Sequence, residues 1–299
     1  MSNRRKMRLT TLFLAGFLLG AVTVFGQPVG ISGTLEWDKM EIGALISLDL
    51  VSANIKLPSG RTMGETLISS EYLKLISPVL LGIRYDSSST LADLVERGEM
   101  SIHDIEEIAH NARRTSPFLS PDLLSLSESC TIDIENISSA LISHRRPADV
   151  RRTLSPVPAP VYTGIIIIAD MPLPVHGMKS PALAQPCLFP KIWDTGMNLI
   201  YERNMLERDI KSMVRYASSS SIFYEGPSGL SPETTALVGS KPLRIIARGL
   251  FGMSPTDLII DADDALAIIS SQENRRLLSE GKVLVILEDS QIKIPLSDK

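Results

Sequence analysis

Hydrophobic positions are spaced unevenly along this chain, and its longest β-branched run lies just past the middle. Residues 162–170 read YTGIIIIAD, with Ile165, Ile166, Ile167 and Ile168 set between Gly164 and Pro172. A short β-branched run between breakers predicts a strand buried on both faces. It is expected at the centre of the second of two small domains. Upstream, residues 34–38 (TLEWD) and 41–50 (EIGALISLDL) predict an antiparallel ribbon joined by Lys39 and Met40, a hairpin length without the favoured Asn-Gly turn. Trp37 is its expected aromatic anchor. Pro58-Ser59-Gly60 then opens a helix whose buried stripe is read as Met63, Leu67, Tyr72, Leu75, Ile76 and Val79. Pro78 is expected to kink or end this helix about one turn early. Gly82 should stop it, and residues 83–85 should re-enter a strand.

Two further helix starts carry capping signals. Thr90 precedes Asp93 by three, and Ser101 precedes Asp104 by three, so in each pair a hydroxyl and an acid can exchange bonds with the free amides. Gly98 is a fitting stop between them. Ile102, Ile105, Ile108, Ala109 and Ala112 are expected along one face of the second helix, and a strand at 123–134 follows. In the second half, Pro172, Pro174, Pro181, Pro186 and Pro190 predict an irregular stretch, followed by a hairpin turning at 195–198. Strands are expected at 241–250 and 257–261, a helix at 264–279 burying Ala265, Ala267, Ile268 and one of Leu277 and Leu278, and a closing strand at 282–287. The expected class is α+β: two small mixed α/β layer domains after an N-terminal signal peptide. The divisions are 1–26 signal peptide, 27–143 first domain, 144–160 linker, 161–290 second domain and 291–299 C-terminal tail.

Composition adds a compartment. Hydrophobic residues make up 44% of the 299-residue chain, enough for packed cores, and aromatics only 5%, so aliphatic side chains must build them. Arg4, Arg5, Lys6 and Arg8 precede an apolar run over residues 9–25, and Val24 and Gly26 stand three and one residues before a cut ahead of Gln27. This is a secretory signal pattern with cleavage between Gly26 and Gln27. An uncleaved membrane anchor is the alternative, disfavoured because the run falls slightly short of the roughly 20 residues a span needs. Cleavage removes four basic residues and no acid, taking the formal charge from −4 to −8. Such an acidic exported protein is a poor candidate for nucleic acid. Arg145, Arg146, Arg151 and Arg152, followed by Pro156, Pro158 and Pro160, read as a solvated, semi-rigid linker in preference to a membrane-surface site.

Candidate chemistry is sparse. Cys130 and Cys187 could form one disulfide in an oxidising compartment, with two separately buried thiols the blander reading. Asp261, Asp263 and Asp264 could hold a hard cation, but the glycine and distal glutamate of a calcium loop are missing. Asp261 as a helix cap with Asp264 in the first turn is preferred. Asp170, at the end of the isoleucine strand with His176 nearby, is the next candidate; a turn-capping role is preferred. His103 and His110 are seven apart, too far to share a metal where zinc helices use a spacing of four, and GPSG at 226–229 lacks the lysine of a phosphate loop. No catalytic, cofactor-binding or metal residue is assigned, and no cofactor or small-molecule substrate is expected.

The order of SGTLEW, the ribbon, and GRTMGETLISSEYLKLISPVLLGIRYDSSSTLADLV is similar to that of FlgP-type bacterial envelope proteins. YTGIIIIAD, PALAQPCLFPKIWDTGMNLIYE, KPLRIIARG, TDLIIDADDALAI and KVLVILED resemble a second block found with the first in exported proteins. Some FlgP-type members are lipoproteins needed for flagellar outer rings and motility; others have no assigned role. This chain departs from them in having no lipidation cysteine near the cut and in Pro78. The resemblance implies a non-enzymatic, exported interaction or assembly protein of the envelope, linked to the flagellar motor, periplasmic or associated with the outer membrane without a lipid anchor. Envelope or flagellar proteins, or a second copy, would be its partners. The ribbon edge at 34–50, with Ile46, is the expected contact element. The alternative is a periplasmic ligand-binding protein or hydrolase using Asp170 and the Asp261, Asp263 and Asp264 cluster.

Overall fold

The computed structural model describes residues 28–142, 144, 146–153, 158–222 and 229–296. The signal segment with Gly26 and Gln27, Arg145, Pro156 and most of the GPSG motif lie outside them. The first domain is built on a hairpin of β1 (Val29–Glu36) and β2 (Glu41–Asp49), paired from Val29 opposite Leu48 to Glu36 opposite Glu41. The connecting turn is 37–40, not Lys39 and Met40 alone, and Met40 closes it at φ +53° with its side chain buried. Every second residue of β2, from Ile42 to Leu48, is buried, the period of a strand packed on one face.

Helix α1 (Arg61–Leu81) covers this sheet through Gly64, Ile68, Tyr72, Ile76 and Leu80. The expected stripe had Tyr72 and Ile76 right; Leu67, Leu75 and Val79 flank the contact, and Met63 is exposed. A hydrophobicity pattern overlooks Gly64, where a Cβ would stand 3.2 Å from a Leu126 methyl and 3.3 Å from one of Leu48. The helix also runs through Pro78 to Leu81, and the Gly82 amide still closes on the Pro78 carbonyl at 3.0 Å. Both capping boxes form, on α2 (Leu91–Glu96) and α3 (Ile102–His110), and Gly98 takes φ +71° between them. Ile105 and Ala109 are buried as expected, while Ile102 is exposed. Short β3 (Arg113–Arg114) and β4 (Phe118–Leu119) both pair with β5 (Ser125–Asp133), which lies on β2, and α4 (Ile134–Leu141) follows. Residues 83–85 are not a strand: Arg84 makes one bridge to Thr90.

The second domain holds β6 (Ile165–Ala169), the hairpin β7 (Ile192–Asp194) and β8 (Leu199–Tyr201), β9 (Arg215–Ser218), α5 (Ser219–Ile222), α6 (Pro232–Val238), β10 (Leu243–Ile246), β11 (Gly249–Phe251), β12 (Asp257–Ile260), α7 (Ala262–Ile269), α8 (Gln272–Ser279), β13 (Val283–Leu287) and α9 (Asp289–Ile292). A parallel sheet runs β10-β6-β13-β9 and a mixed one β11-β12-β7-β8. The isoleucine run is an inner strand of the parallel sheet, where strands are apolar on both faces. Ile165 and Ile167 enter the main core, and Ile166 enters a smaller core with Val238, Leu284 and Ile286. The expected strand at 241–250 is two strands in different sheets. The expected helix at 264–279 breaks at Ser270, and Ser271 caps a new helix by accepting from the Asn274 amide. Asn274 is buried and binds the Tyr162 amide and the Pro160 and Ala267 carbonyls.

The expected C-terminal tail is instead a strand. β14 (Lys293–Leu296) pairs antiparallel with β1, so the end of the chain returns to the first domain. It also covers the edge that the ribbon was expected to present: β1 lies between β14 and β2, β2 lies between β1 and β5, and Ile46 is fully buried. Ile46 therefore belongs to the core and is no contact residue. The exposed edge passes to β14, short and carrying Lys293 and Pro295, features that discourage strand addition.

The domains join across a continuous core. Trp37 is buried edge-on to Tyr216 with ring centroids 5.6 Å apart, and its amide donates to the Ile292 carbonyl at 3.0 Å. The Arg84 and Tyr85 carbonyls accept from the Leu188 and Phe189 amides at 3.0 and 2.9 Å. Arg215 pairs with Glu135, and Arg203 reaches the Tyr85 hydroxyl. Truncating the isoleucine run should report this packing: Ile167→Ala should cost about 2–5 kcal/mol in urea unfolding, whereas Ile246→Ala, on the exposed face of edge strand β10, should change stability by less than about 0.5 kcal/mol.

Candidate functional site

The sequence-predicted residues fall into separate networks. Asp170, just past β6, accepts from the Ser219 hydroxyl at the start of α5, so it ties two strand ends together in place of capping its own turn. His176 does not join it; its ring packs on Phe251 with centroids 5.9 Å apart. Nearby, Ser220 bonds Asp289 at 3.5 Å and the Ser218 and Ser220 hydroxyls lie 2.9 Å apart. The carboxyl edge of a parallel sheet is where ligands commonly bind, but here the serines and acids satisfy one another.

Asp261 is the N-cap residue of α7 but makes no side-chain cap; its carboxylate binds Arg248 at 3.1 Å. Asp263 and Asp264 occupy the first turn, as expected. Burial, then the Asp261 charge, raises the Asp264 pKa. Among the described residues no three His, Cys, Asp or Glu side chains gather as a metal set. Both cysteines are free and buried. Cys130 lies 3.2 Å from the Tyr72 hydroxyl, and the Cys187 backbone exchanges two bonds with the Tyr216 hydroxyl. His103 and His110 are exposed on α3.

Two features escaped the sequence reading. The first is Asp257, opening β12 and 1% exposed. It accepts from the Lys191 amide at 3.0 Å, the Trp193 indole at 3.2 Å and the Ser87 hydroxyl at 3.2 Å, so a first-domain loop is bonded to a second-domain acid. Burial raises its pKa against the lowering effect of those bonds. An aspartate flanked by Thr256 and an apolar strand was the available signal.

The second is a cleft of about 660 Å³ in the first domain, between α3, α4 and the end of β5. Glu99, Asp104, Glu107 and Asp133 line it against one guanidinium, Arg113, over Met100 and Ile108. Arg113 itself pairs with Glu41 at 2.7 Å. Asp104 is committed to its capping box, and bonds from Ser101 lower its pKa. The acids come from two separate stretches, Glu99 to Glu107 and Asp133; residues 99–113 and 131–141 supply the walls, and no local motif marks them. An acidic concavity with an apolar floor suits a basic, partly apolar segment.

Asp257→Ala should leave the Lys191 amide, the Trp193 indole and the Ser87 hydroxyl without this acceptor, at about 1–3 kcal/mol for each donor that water does not reach. The folded pKa lies above the ordinary 3.8, so the fold holds the extra proton just above that value and loses the associated stability as pH rises through the folded value. Asp257→Asn should flatten that slope in urea midpoints measured across mildly acidic pH.

No curated protein matches this chain. Residues 28–140 match the family described as Treponema pallidum Tp0624, N-terminal domain. Residues 164–289 match the family described as Treponema pallidum Tp0624, second domain. The chain therefore carries, in order, a Tp0624-type N-terminal domain and a Tp0624-type second domain, each of α+β build.

Proposed function

We propose that this protein is an exported, non-enzymatic interaction protein of the cell envelope, and that the acidic cleft of its first domain receives a basic segment of a protein partner. The observation that carries this reading is the lining of the cleft, four carboxylates and one guanidinium beside Met100, Ile108 and Leu141, with Glu99 also paired to Arg97 at 2.7 Å. Complementary charge of that kind steers and registers a partner. The basic n-region, the apolar run over 9–25 and the Gly26–Gln27 junction support export. The union of the two domains supports a scaffolding role, because a rigid body fixes the position of whatever it binds. The link to the flagellar motor rests on the FlgP-type pattern of the first domain and extends the proposal to motility. The ligand-binding alternative has its acids in separate networks, Asp170 with Ser219 and Asp261 with Arg248, and not around one concavity.

A photo-crosslinking residue in place of Asn136, on the cleft wall, tests this in the native host. The expected result is a crosslink to one envelope protein, lost in Glu99→Lys/Glu107→Lys and retained in Asp170→Asn. Impaired swimming in the same double variant would add the motor link. Normal crosslinking in the double variant, with the cellular phenotype lost in Asp170→Asn, would favour the ligand-binding alternative.

A further inference from the structure

The acidic cleft of the first domain and the basic segment that follows α4 are opposite in charge and close in space. Leu141, the last residue of α4, lines the cleft, and no described residue beyond it does. The chain then runs on as HRRPADVRRT over 144–153. Its described residues 146–153 form neither helix nor strand, and Arg146, Arg151 and Arg152 are exposed. Three bonds lay this segment along the second domain. Arg203 donates to the Leu141 carbonyl at 3.3 Å, His144 meets the Leu206 carbonyl through Nε2 at 2.7 Å, and the Ala148 amide donates to the Asn204 carbonyl at 2.6 Å. Val150 packs against the core. The segment is therefore held beside its own cleft and lies outside it.

The cleft keeps most of its charge. Asp104 and Asp133 accept from the Ser101 and Glu135 amides, neutral donors that leave a carboxylate ionised. The bonds from Ser101 also lower the Asp104 pKa. Glu107 is exposed and makes no ion pair among the described residues. Glu99 shares its charge with Arg97 at 2.7 Å, while the one cation of the lining, Arg113, is drawn to Glu41 outside it. On the basic segment, Arg146 and Arg151 make no ion pair among the described residues. Arg152 has only Asp149 at 3.6 Å, with both side chains exposed. An arginine fork matches a carboxylate, and its methylene stem covers apolar surface of the kind Met100, Ile108 and Leu141 supply.

We propose that the basic segment received by the cleft is residues 146–152 of a second copy of this chain, in a two-fold pair in which each copy's segment lies across the other's cleft. Charge complementarity carried within one sequence argues for the second copy. Adjacency argues for the pair: the two surfaces lie side by side on each molecule, so both contacts form together around one axis and the assembly closes. The proposal rests on the reading of the cleft as a site for a basic segment and names that segment.

The test uses the full chain, expressed with its N-terminal segment so that the host processes it, and follows its mass by sedimentation at rising protein and salt concentration. The expected result is a concentration-dependent mass of two chains that falls toward one as salt rises. Glu99→Lys/Glu107→Lys and Arg151→Glu/Arg152→Glu should each sediment as single chains with unchanged circular dichroism. Mixed together they should pair, because the basic segment of the first meets the acidic cleft of the second, and the acidic segment of the second meets the basic cleft of the first. Should either variant fail to fold, Glu107→Gln and Arg151→Gln, which remove a charge without reversing it, should each weaken pairing several-fold. Pairing in either reversed variant alone, or none in the mixture, would overturn the proposal. A wild-type chain that stays single at every concentration would overturn it too. In that case a photo-crosslink from position Asn136 to a different protein would leave the basic-segment reading standing, and the absence of any crosslink would remove both.

Discussion

The turn that carries Trp37 is the point on which the arrangement depends. An indole buried in the hairpin of the first domain meets Tyr216 on β9 of the second, and its own backbone amide is held by the last residue of α9. Tyr216 in turn binds both backbone groups of Cys187 in the proline-rich stretch. One aromatic contact thus gathers the hairpin, the parallel sheet, an irregular loop and the start of β14. The strand β14 then closes the circuit by pairing with β1. Two domains that meet this way resist relative motion, because separating them exposes aromatic rings and also peels a strand from a sheet.

Local chemistry in the sequence foretold what local chemistry decides. The isoleucine run, both capping boxes, the 195–198 hairpin and the closing strand at Val283–Leu287 were all legible, since their signals lie within a few residues. The stripe on α1 was misread by one position at its ends: Ile68 and Leu80 face the sheet where Leu67 and Val79 were expected, and Gly64, which a hydrophobicity pattern skips, faces it in place of Met63. Pro78 was overvalued as a stop, because the helix continues through it to Leu81. The β14 strand was invisible: Lys293, Ile294, Pro295 and Leu296 have the composition of a tail, and only long-range pairing with β1 makes them a strand. That same pairing removed the ribbon edge from the surface and Ile46 with it.

The candidate surfaces were illegible for a related reason. Clustered acids in the sequence, Asp261, Asp263 and Asp264, drew attention, yet Asp261 is spent on Arg248. Three of the acids that share a cleft lie between Glu99 and Glu107, and Asp133 joins them only when α3 and α4 flank the end of β5. Asp257 shows the same rule inside the protein, where a single acid receives donors from Ser87, Lys191 and Trp193. The first domain thus carries an acidic cleft of its own while sharing one core with the second.

The shared core and the β14–β1 pairing require the two domains to behave as one cooperative unit, and native-state hydrogen exchange at rising urea addresses that directly. The slowest amides of β2 and β5 in the first domain, and of β6 and β13 in the second, should converge on one opening free energy and one urea slope. Two distinct isotherms, with one domain opening while the other stays protected, would contradict the account.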